Sequence, residues 1–394
     1  MASAPVGLER RITTTTLILL VFGHVMLFSA TGVLGLENQN SEFYYLSRQF
    51  MGAAMGLALM FFFSKVRYQF LGRIAPILMA AQIILTTMAF IPGFAHSAQG
   101  VNRWISLGFM KFQPSEVAKI TLMIYVCQIL ALKDNVGFTA KRKMLAVAPI
   151  LVLLALIFKQ PDLGSTILLS VTIIAVLFIA GARPIYVLGF LGIGVLGFAL
   201  SLINSDYRQR RVMAFLNPWA DPQGGGFQSI QSFLSFYSGK IFGVGLGNGN
   251  SKLFYLPEVH TDFIFALVGE ELGFVGAISL MVAFAYLGYL LFKLVRFAPD
   301  LFGRYLAFTL SLSLLLQIVV NLGGVTGVIP VKGLPLPFIS WGRSALVVNL
   351  AMMGILLNIC KQALPPAPAK QAGRNNAPDP EKMIKGSVCH KKAT

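Results

Sequence analysis

The stretch LGSTILLSVTIIAVLFIAG, residues 163–181, carries no charged side chain and is long enough to cross the hydrocarbon core of a bilayer as one helix. Apolar runs of this kind recur on both sides of it. The candidate spans are residues 15–35, 47–64, 71–92, 114–132, 144–158, 163–181, 185–204, 263–295, 303–323 and 341–361. The fifth is short for a crossing and the eighth is long, so the count is about ten, with nine or eleven also compatible.

The overall composition excludes a soluble globular domain. Of 394 residues, 56% are apolar and 12% are charged, with a mean hydropathy of +0.73. Soluble domains carry about 45–50% apolar and about a quarter charged residues. We therefore expect an all-α polytopic membrane protein with about ten transmembrane helices, which form one membrane domain over residues 15–361.

The distribution of charge predicts the orientation. Lys and Arg number 32 against 15 Asp and Glu, a net charge of +17. Most basic residues face the cytoplasm if residues 1–14 are cytoplasmic, as the positive-inside rule requires. Both termini are then expected on the cytoplasmic side, and the charge needs no nucleic acid as a partner. The basic tail, residues 362–394, is expected to be disordered or to lie on anionic lipid.

The first span has the features of a retained helix, and the cysteines show no pairing pattern. Arg10 and Arg11 precede an apolar run longer than the core of most signal peptides, so we expect a retained helix, although the small residues 29–31 would also permit cleavage. No disulfide, redox or zinc spacing is present among Cys127, Cys360 and Cys389.

One outer segment, residues 205–262 between the seventh and eighth spans, is long and polar, and such long connections are usually functional. Its arginines Arg208, Arg210 and Arg211 suit either a solvated basic face or contacts to phosphates. The glycine-rich stretch 239–250 suits either a flexible loop or a lid. The same stretch resembles a nucleotide-binding loop, but no βαβ pattern surrounds it.

Polar side chains gather at the outer ends of the even-numbered spans, although each ionisable group costs about 2.5–3.5 kcal/mol at membrane depth. The fourth and sixth spans open with a proline and then an acid in the first turn, which is typical of helix N-termini. The residues concerned are Gln113, Pro114, Glu116, Lys119, Gln160, Pro161, Asp162, His260, Asp262, Glu270, Glu271, Lys332, Ser340 and Arg343.

These groups predict an outer pocket where positive helix ends and basic side chains meet carboxylates. Such a pocket suits an anionic head group such as a diphosphate, with one carboxylate left to move a proton. Simpler interpretations exist for each part: an ion pair three residues apart for Glu116 and Lys119, an N-cap for Asp262, and a loop residue for His260. The location of all of them on one side favours a site.

Five longer stretches resemble one protein family. They are NRWISLGFMKFQPSEVAK (102–119), KQPDLGS (159–165), RVMAFLNPWADPQGGGFQSIQS (211–232), LPEVHTDFIFALVGEELGFVG (256–276) and PVKGLPLPFISWG (330–342). The chain resembles the SEDS family, FtsW/RodA/SpoVE, over residues 15–361. Its PWADP and HTDFIFALVGEELG segments resemble the division-type branch more than the elongation-type branch.

The resemblance implies a ten-helix fold in the bacterial inner membrane and a function in cell-wall biogenesis, during division, elongation or sporulation. It implies a peptidoglycan glycosyltransferase that polymerises lipid II into a growing glycan strand on the outer face. It also implies a class B penicillin-binding protein as the partner transpeptidase, with other membrane proteins of the division or elongation machinery.

The same resemblance places the essential carboxylate at Asp262 and further cavity residues at Glu116, Lys119 and Asp162. The expected substrate-binding set also includes Arg103, Arg210, Arg211, Lys332, Ser340 and Arg343, and the expected cavity-shaping set is Gln113, Pro114, Gln160, Pro161, His260, Glu270 and Glu271. One departure is visible: the family usually reads Ser-Tyr-Gly-Gly-Ser-Ser where residues 340–345 are SWGRSA. Arg343 then either adds a cation to the pocket or marks a local repacking.

The chemistry of joining lipid II units favours one inverting displacement, because a β-1,4 bond forms from an α-linked lipid diphosphate sugar. Asp262 would take the proton from the acceptor's 4-hydroxyl, and Lys119, Arg210 or Arg211 would stabilise the departing diphosphate. A divalent cation, Mg²⁺ or Mn²⁺, is an open alternative because the substrate's own phosphates could bind it. Two rival functions are a lipid flippase or transporter and a non-catalytic scaffold for a partner synthase.

Overall fold

A computed structural model describes residues 7–91, 95–98, 101–106, 111–133, 140–203, 206–252, 256 and 258–363. Most of these residues are helical. The helices are α1 (Leu8–Gln39), α2 (Tyr44–Lys65), α3 (Tyr68–Arg73), α4 (Ala75–Met88), α5 (Pro114–Lys133), α6 (Ala140–Lys159), α7 (Leu163–Ile179), α8 (Pro184–Ile203), α9 (Asp206–Leu216), α10 (Phe227–Gly239), α11 (Ile264–Glu271), α12 (Gly273–Phe297), α13 (Leu301–Val325) and α14 (Arg343–Ala363).

The apolar helices confirm the predicted fold class, an all-α membrane protein. Of the helices in the described residues, six are long and apolar enough to cross a bilayer: α1, α2, α5, α12, α13 and α14. Shorter apolar helices are α4, α6, α7 and α8. Every candidate span therefore coincides with a helix, while the number that cross the membrane stays a prediction. Large apolar side chains on the outside of the bundle, such as Phe178 and Ile77, suit contact with lipid.

Three boundaries differ from those predicted by hydropathy. Helix α1 begins at Leu8, within the predicted cytoplasmic N-terminus 1–14. The long eighth span is two helices, α11 and α12, which meet at Gly273 with φ 69°. The third span is likewise interrupted, between α3 and α4. Hydropathy averaged over a span does not reveal such breaks, because apolar residues continue beyond each of them.

A small sheet is the exception to the all-α expectation. Strands β1 (Ala95–Ala98), β2 (Val101–Ser106) and β3 (Lys111–Phe112) form antiparallel pairs in the order β1-β2-β3. They lie immediately before α5. Strands of two to six residues are too short to stand out beside apolar runs.

The long outer segment, residues 205–262, is more regular than its composition suggested. It contains α9, a 3₁₀ turn at Pro218–Ala220 and α10. At the other end of the chain, the predictions for the C-terminal tail concern residues that are almost all outside the described part of the chain, as is Cys389. Within the described part, Cys127 and Cys360 are buried and free.

Helix α14 is the buried centre of the bundle, and it packs most closely on α2. Glycines allow this approach: a Cβ on Gly354 would lie 2.5 Å from the carbonyl oxygen of Met60, and one on Gly56 would lie 2.6 Å from Leu350 Cδ1. Small residues are the usual means of bringing membrane helices together. The N-terminus of α14 is thereby held against α2, beside the loop 326–342 that borders the site.

Candidate functional site

The predicted polar helix starts meet at one end of the bundle, and Asp162 joins two of them. One carboxylate oxygen of Asp162 caps α7 by accepting from the backbone N–H of Ser165 at 3.1 Å. The other accepts from Ser115 Oγ at 2.8 Å and from Gln113 Nε2 at 3.1 Å. Asp162 is therefore a buried capping residue that links the N-termini of α5 and α7.

The charged pair predicted at the start of α5 is present and fully buried. Lys119 Nζ lies 2.8 Å from Glu116 Oε2, and their side chains are 0% and 3% exposed. The same ammonium donates to Gln317 Oε1 at 2.8 Å, and Gln317 Nε2 donates to the carbonyl oxygen of Pro335 at 2.7 Å. The pair thus connects α5 to α13 and to the loop before α14. Neither member lines the cavities described below.

Asp262 precedes α11 and is fixed through its backbone. Its N–H donates to the carbonyl oxygen of Glu258 at 3.2 Å, and its own carbonyl oxygen accepts from Asn321 Nδ2 at 2.9 Å. The half-buried carboxylate faces Gly333, where a Cβ would lie 3.5 Å from Asp262 Oδ2. Gly333 has φ 68°, a backbone conformation that favours glycine.

The surroundings of Asp262 give it an unusual proton affinity for an aspartate. Burial raises the pKa of Asp262 to about 6, the negative charge of Glu258 adds to this, and the positive charge of Arg211 opposes it. Burial and Arg211 together lower the pKa of the Lys332 ammonium. One cation, Arg211, and a second carboxylate, Glu258, therefore act on Asp262, and Lys332 lines the same small cavity.

Three cavities adjoin one another around Asp262. The smallest, about 10 Å³, is lined by Asp262, Asn321, Lys332 and Gly333 among others. It shares Lys332 and Leu334 with an apolar groove of about 120 Å³ between α7 and α13. It shares Gly324 and Val331 with a larger cavity of about 220 Å³ beneath α9 and α10.

The larger cavity has a mixed lining. It is bounded by Arg211, Phe215, Gln228, Ser229, Phe233 and glycines of the α13 end. Arg211 reaches it from α9, whereas Arg210 is exposed on the same helix and is not among the lining residues. Of the two predicted arginines, the structure therefore brings Arg211 to the site.

Arg103 contacts the backbone of Gln160 and Pro161, outside the three cavities. Arg103 Nε donates to the carbonyl oxygen of Gln160 at 3.1 Å, and another guanidinium nitrogen donates to that of Pro161 at 2.6 Å. Gln160 Nε2 in turn donates to the carbonyl oxygen of Thr86 at 2.9 Å. Pro114 belongs to the same support, since its carbonyl oxygen accepts from Gln82 Nε2 at 2.9 Å. These contacts hold β2 against the start of α7 and leave substrate binding by Arg103 a prediction.

The loop before α14 is held by main-chain and side-chain bonds. Ser340 Oγ accepts from the backbone N–H of Leu336 at 2.8 Å, and the Ser340 carbonyl oxygen accepts from Gln49 Nε2 at 3.1 Å. The carbonyl oxygen of His260 accepts from the N–H of Trp341 at 2.8 Å. Burial lowers the pKa of the His260 imidazole, against the charge of Glu258. Arg343 begins α14 and packs on α2 rather than lining the cavities.

Glu270 and Glu271 anchor the glycine-rich stretch. Glu270 accepts from the N–H groups of Asn250 and Ser251, at 2.8 and 3.2 Å. Glu271 pairs with Lys252 Nζ at 2.9 Å and accepts from Ser29 Oγ of α1 at 2.7 Å. The stretch is thus bound to α11 and α1 at its end, which differs from a freely flexible loop.

Two site residues, Asn321 and Gln317, were missed in the sequence. Both lie on α13, four residues apart, and therefore on one helix face. Polar amides within an otherwise apolar span are the signal that could have found them. Glu258 was also not singled out, although it lies in a motif that had been recognised.

The comparisons with known proteins agree with this architecture. The family model FTSW_RODA_SPOVE, described as cell cycle protein, matches residues 10–364. The chain is 43% identical over 345 residues to the probable peptidoglycan glycosyltransferase FtsW of Geobacter metallireducens, covering 86% of this chain and 90% of that protein. It is 38% identical to the stage V sporulation protein E of Bacillus subtilis, covering 88% of this chain and 95% of that protein.

Solved structures show the same fold. A chain described under "Structural coordination of polymerization and crosslinking by a peptidoglycan synthase complex" superposes with a TM-score of 0.70 at 26% identity, covering 89% of this chain and 97% of that one. The rod shape determining protein RodA of Thermus thermophilus gives a TM-score of 0.65 at 25% identity, covering 90% and 96%. The chain belongs to the FtsW/RodA/SpoVE family.

Proposed function

We propose that this protein is a peptidoglycan glycosyltransferase that polymerises lipid II on the outer face of the bacterial inner membrane, in the manner of the division-type branch. The family and the names of its relatives support the activity. The observation that carries the proposal is the position of Asp262, a half-buried acid near Arg211 and Lys332 where a cavity of mixed lining meets an apolar groove.

Asp262 is the general base in this proposal. A pKa of about 6 leaves the carboxylate mostly ionised at neutral pH, yet closer to the working pH than an ordinary aspartate, which suits proton transfer. It accepts the proton of the acceptor's 4-hydroxyl as that oxygen attacks the anomeric carbon of the donor sugar. The bond to the lipid diphosphate breaks on the opposite face, so the configuration inverts.

Arg211 and Lys332 stabilise the leaving group. The departing diphosphate carries the electron pair of the broken bond, and cations already fixed near Asp262 meet that charge without reorganisation. The apolar groove between α7 and α13 suits the polyprenyl tail, because it begins at Lys332 and is otherwise lined by apolar side chains and one glycine. The two larger cavities would then hold sugar and tail on either side of the carboxylate.

A protein-bound metal is not built into this proposal. Among the described residues, no group of three or more His, Cys, Asp or Glu side chains could hold a metal ion. A divalent cation that arrives with the substrate's diphosphate stays an alternative, because phosphate oxygens are ligands that Mg²⁺ prefers. No step above depends on it.

The partner and the orientation complete the proposal. The likeness to a chain of a peptidoglycan synthase complex supports a class B penicillin-binding protein as the transpeptidase that crosslinks the strands, and other division or elongation proteins as further partners. We place both termini in the cytoplasm and Asp262 on the outer side, because of the basic residues near the inner helix ends.

The decisive experiment incubates the purified full-length protein with lipid II, first in detergent and then in liposomes. Glycan polymer is expected from the wild type and from Glu42→Gln, an exposed carboxylate remote from the cavities. Asp262→Asn should give none. Equal polymer from Asp262→Asn would remove this residue from the mechanism. Transfer of lipid II across liposomes without polymer would instead support a flippase, and neither product would favour a scaffold.

A further inference from the structure

A second group of charged and aromatic side chains lies at the outer end of α2, outside the cavities around Asp262. The guanidinium of Arg48 lies 3.9 Å from the centre of the Tyr44 ring. The ring of Tyr45 is 5.2 Å from that of Trp341 and 5.5 Å from that of His260. These contacts form a continuous aromatic surface from α2 to the loop that carries Asp262.

Arg343 joins this surface from the first turn of α14. A Cβ on Gly52 would lie only 3.3 Å from Arg343 Cγ, so the Arg343 stem crosses α2 at that glycine. Arg48 is one helical turn before Gly52 and therefore on the same face of α2. Both arginines therefore lie where the start of α14 crosses one face of α2. Gln49 fixes the distance between the elements by bonding to the carbonyl oxygen of Ser340.

No salt bridge in the described part of the chain joins either arginine of this pair to an acid, although the charge of Glu258 acts on Tyr45 beside them. Ion pairs within the described part of the chain involve Lys119, Lys252 and Lys361, and none includes Arg48 or Arg343. Both arginines are half-buried, so water screens their repulsion less than at an open surface. The positive N-terminal end of α14 adds to the same potential. Such an arrangement favours the binding of an anion.

A phosphate group matches the arrangement best. Guanidinium forks bind phosphate oxygens in pairs, and aromatic rings at the membrane boundary suit the faces of sugars or the apolar stems of lipids. We infer that Arg48, Arg343 and the neighbouring rings form a second binding site, for the phosphate of a membrane lipid, adjacent to the Asp262 cavity but separate from it.

The proposed reaction requires a site of this kind. Its assignment to the second lipid-linked substrate rests on that proposed function. Two lipid-linked diphosphate sugars must be present at once, and only one diphosphate leaves. The other must be held while its sugar hydroxyl reaches Asp262, two residues beyond His260. The arginine pair would hold the diphosphate that stays.

Counting bound lipids on the intact protein tests the inference. Native mass spectrometry of the full chain, titrated with undecaprenyl diphosphate, should show two equivalents bound to the wild type. Arg48→Gln and Arg343→Gln should each retain one and weaken the other about tenfold, the effect of losing one charge-assisted hydrogen bond. Lys240→Gln removes a positive charge from an exposed outer position and should change neither. Asp262→Asn should keep two equivalents, so the count is independent of catalysis.

Two comparisons make the result decisive. Arg48→Lys keeps the charge and should bind more tightly than Arg48→Gln, and an unchanged melting temperature in all variants shows that the fold is intact. A parallel titration uses phosphatidylglycerol, with phosphatidylcholine as the zwitterionic lipid. Loss confined to phosphatidylglycerol would support a phosphate site but overturn its assignment to the second substrate. Unchanged binding of both anionic lipids by Arg48→Gln and Arg343→Gln would overturn the site itself.

Discussion

The side-chain amide of Asn321 donates a hydrogen bond of 2.9 Å to the carbonyl oxygen of Asp262. The same nitrogen donates at 2.8 Å to the carbonyl oxygen of Leu334. Asn321, near the end of α13, therefore fixes the backbone of the proposed base and the backbone of the loop segment that faces it across the small cavity. The position of the Asp262 carboxylate depends on a neighbour from another helix as well as on its own turn.

Replacing Asn321 should lower turnover more than binding. Asn321→Leu leaves two carbonyl oxygens without this donor and lets Asp262 shift, so we expect kcat to fall by about 10–100-fold, with a smaller change in KM. The assay is the initial rate of lipid II polymerisation. Asn349→Leu is the matched control, because the Asn349 amide is buried on α14 with no hydrogen-bond partner in the described structure. That variant should be as active as the wild type and at least as stable. A change in KM alone for Asn321→Leu would contradict a positioning role.

The pH dependence of the rate should report the ionisation of Asp262. A base with a pKa of about 6 is protonated below that value, so the rate should fall about tenfold per pH unit below 6 and level off above it. Glu258 raises this pKa and Arg211 lowers it. Glu258→Gln should therefore move the midpoint of the profile to lower pH, and Arg211→Gln should move it to higher pH.

His260 provides the control for this profile, because it also titrates and lies two residues from Asp262. Burial lowers its pKa, so it is mostly neutral at the pH where polymerisation would be measured. His260→Gln should leave the midpoint nearly unchanged. Glu258 also raises the pKa of His260, so Arg211→Gln is the variant that separates the two groups. A midpoint that moves with His260→Gln and stays fixed with Arg211→Gln would assign the titration to the imidazole.

The sequence could predict the helices and the motifs, but only part of the geometry. Hydropathy located the apolar spans because lipid selects for length and composition alone. It could not locate the break at Gly273, which depends on the close approach of residues 241–243. The polar residues at the helix starts were recognisable, yet the division of labour among them was not. Asp162 and Lys119 are enclosed by partners, whereas Asp262 lines a cavity, and that difference arises only from packing between distant segments.

The buried pair Lys119 and Glu116 should contribute chiefly to stability. Lys119→Met leaves the Glu116 carboxylate buried without its cation, so we expect a loss of about 3–5 kcal/mol. Replacing both members, as Lys119→Met with Glu116→Gln, should recover most of that loss, because no unpaired charge remains. Thermal unfolding in detergent, followed by the polymerisation assay on the stable double variant, checks both statements. An inactive but stable double variant would instead return Lys119 to the substrate-binding residues.

Glu270 should control the mobility of the glycine-rich stretch, which packs on the end of α11. Its carboxylate accepts from the N–H groups of Asn250 and Ser251 and from Ser251 Oγ, and bonds to an ionised acceptor are worth about 1.5–3 kcal/mol. In Glu270→Gln the charge is lost and the amide nitrogen cannot accept, so amide hydrogen exchange at 244–252 should accelerate at least tenfold while exchange in α13 stays unchanged. Glu42→Gln, an exposed carboxylate, controls for the loss of one negative charge.

If the stretch serves as a lid, the KM for lipid II should rise in Glu270→Gln as exchange accelerates. Unaltered exchange in Glu270→Gln would show that the glycine-rich stretch is held by other contacts, such as the pair of Lys252 with Glu271.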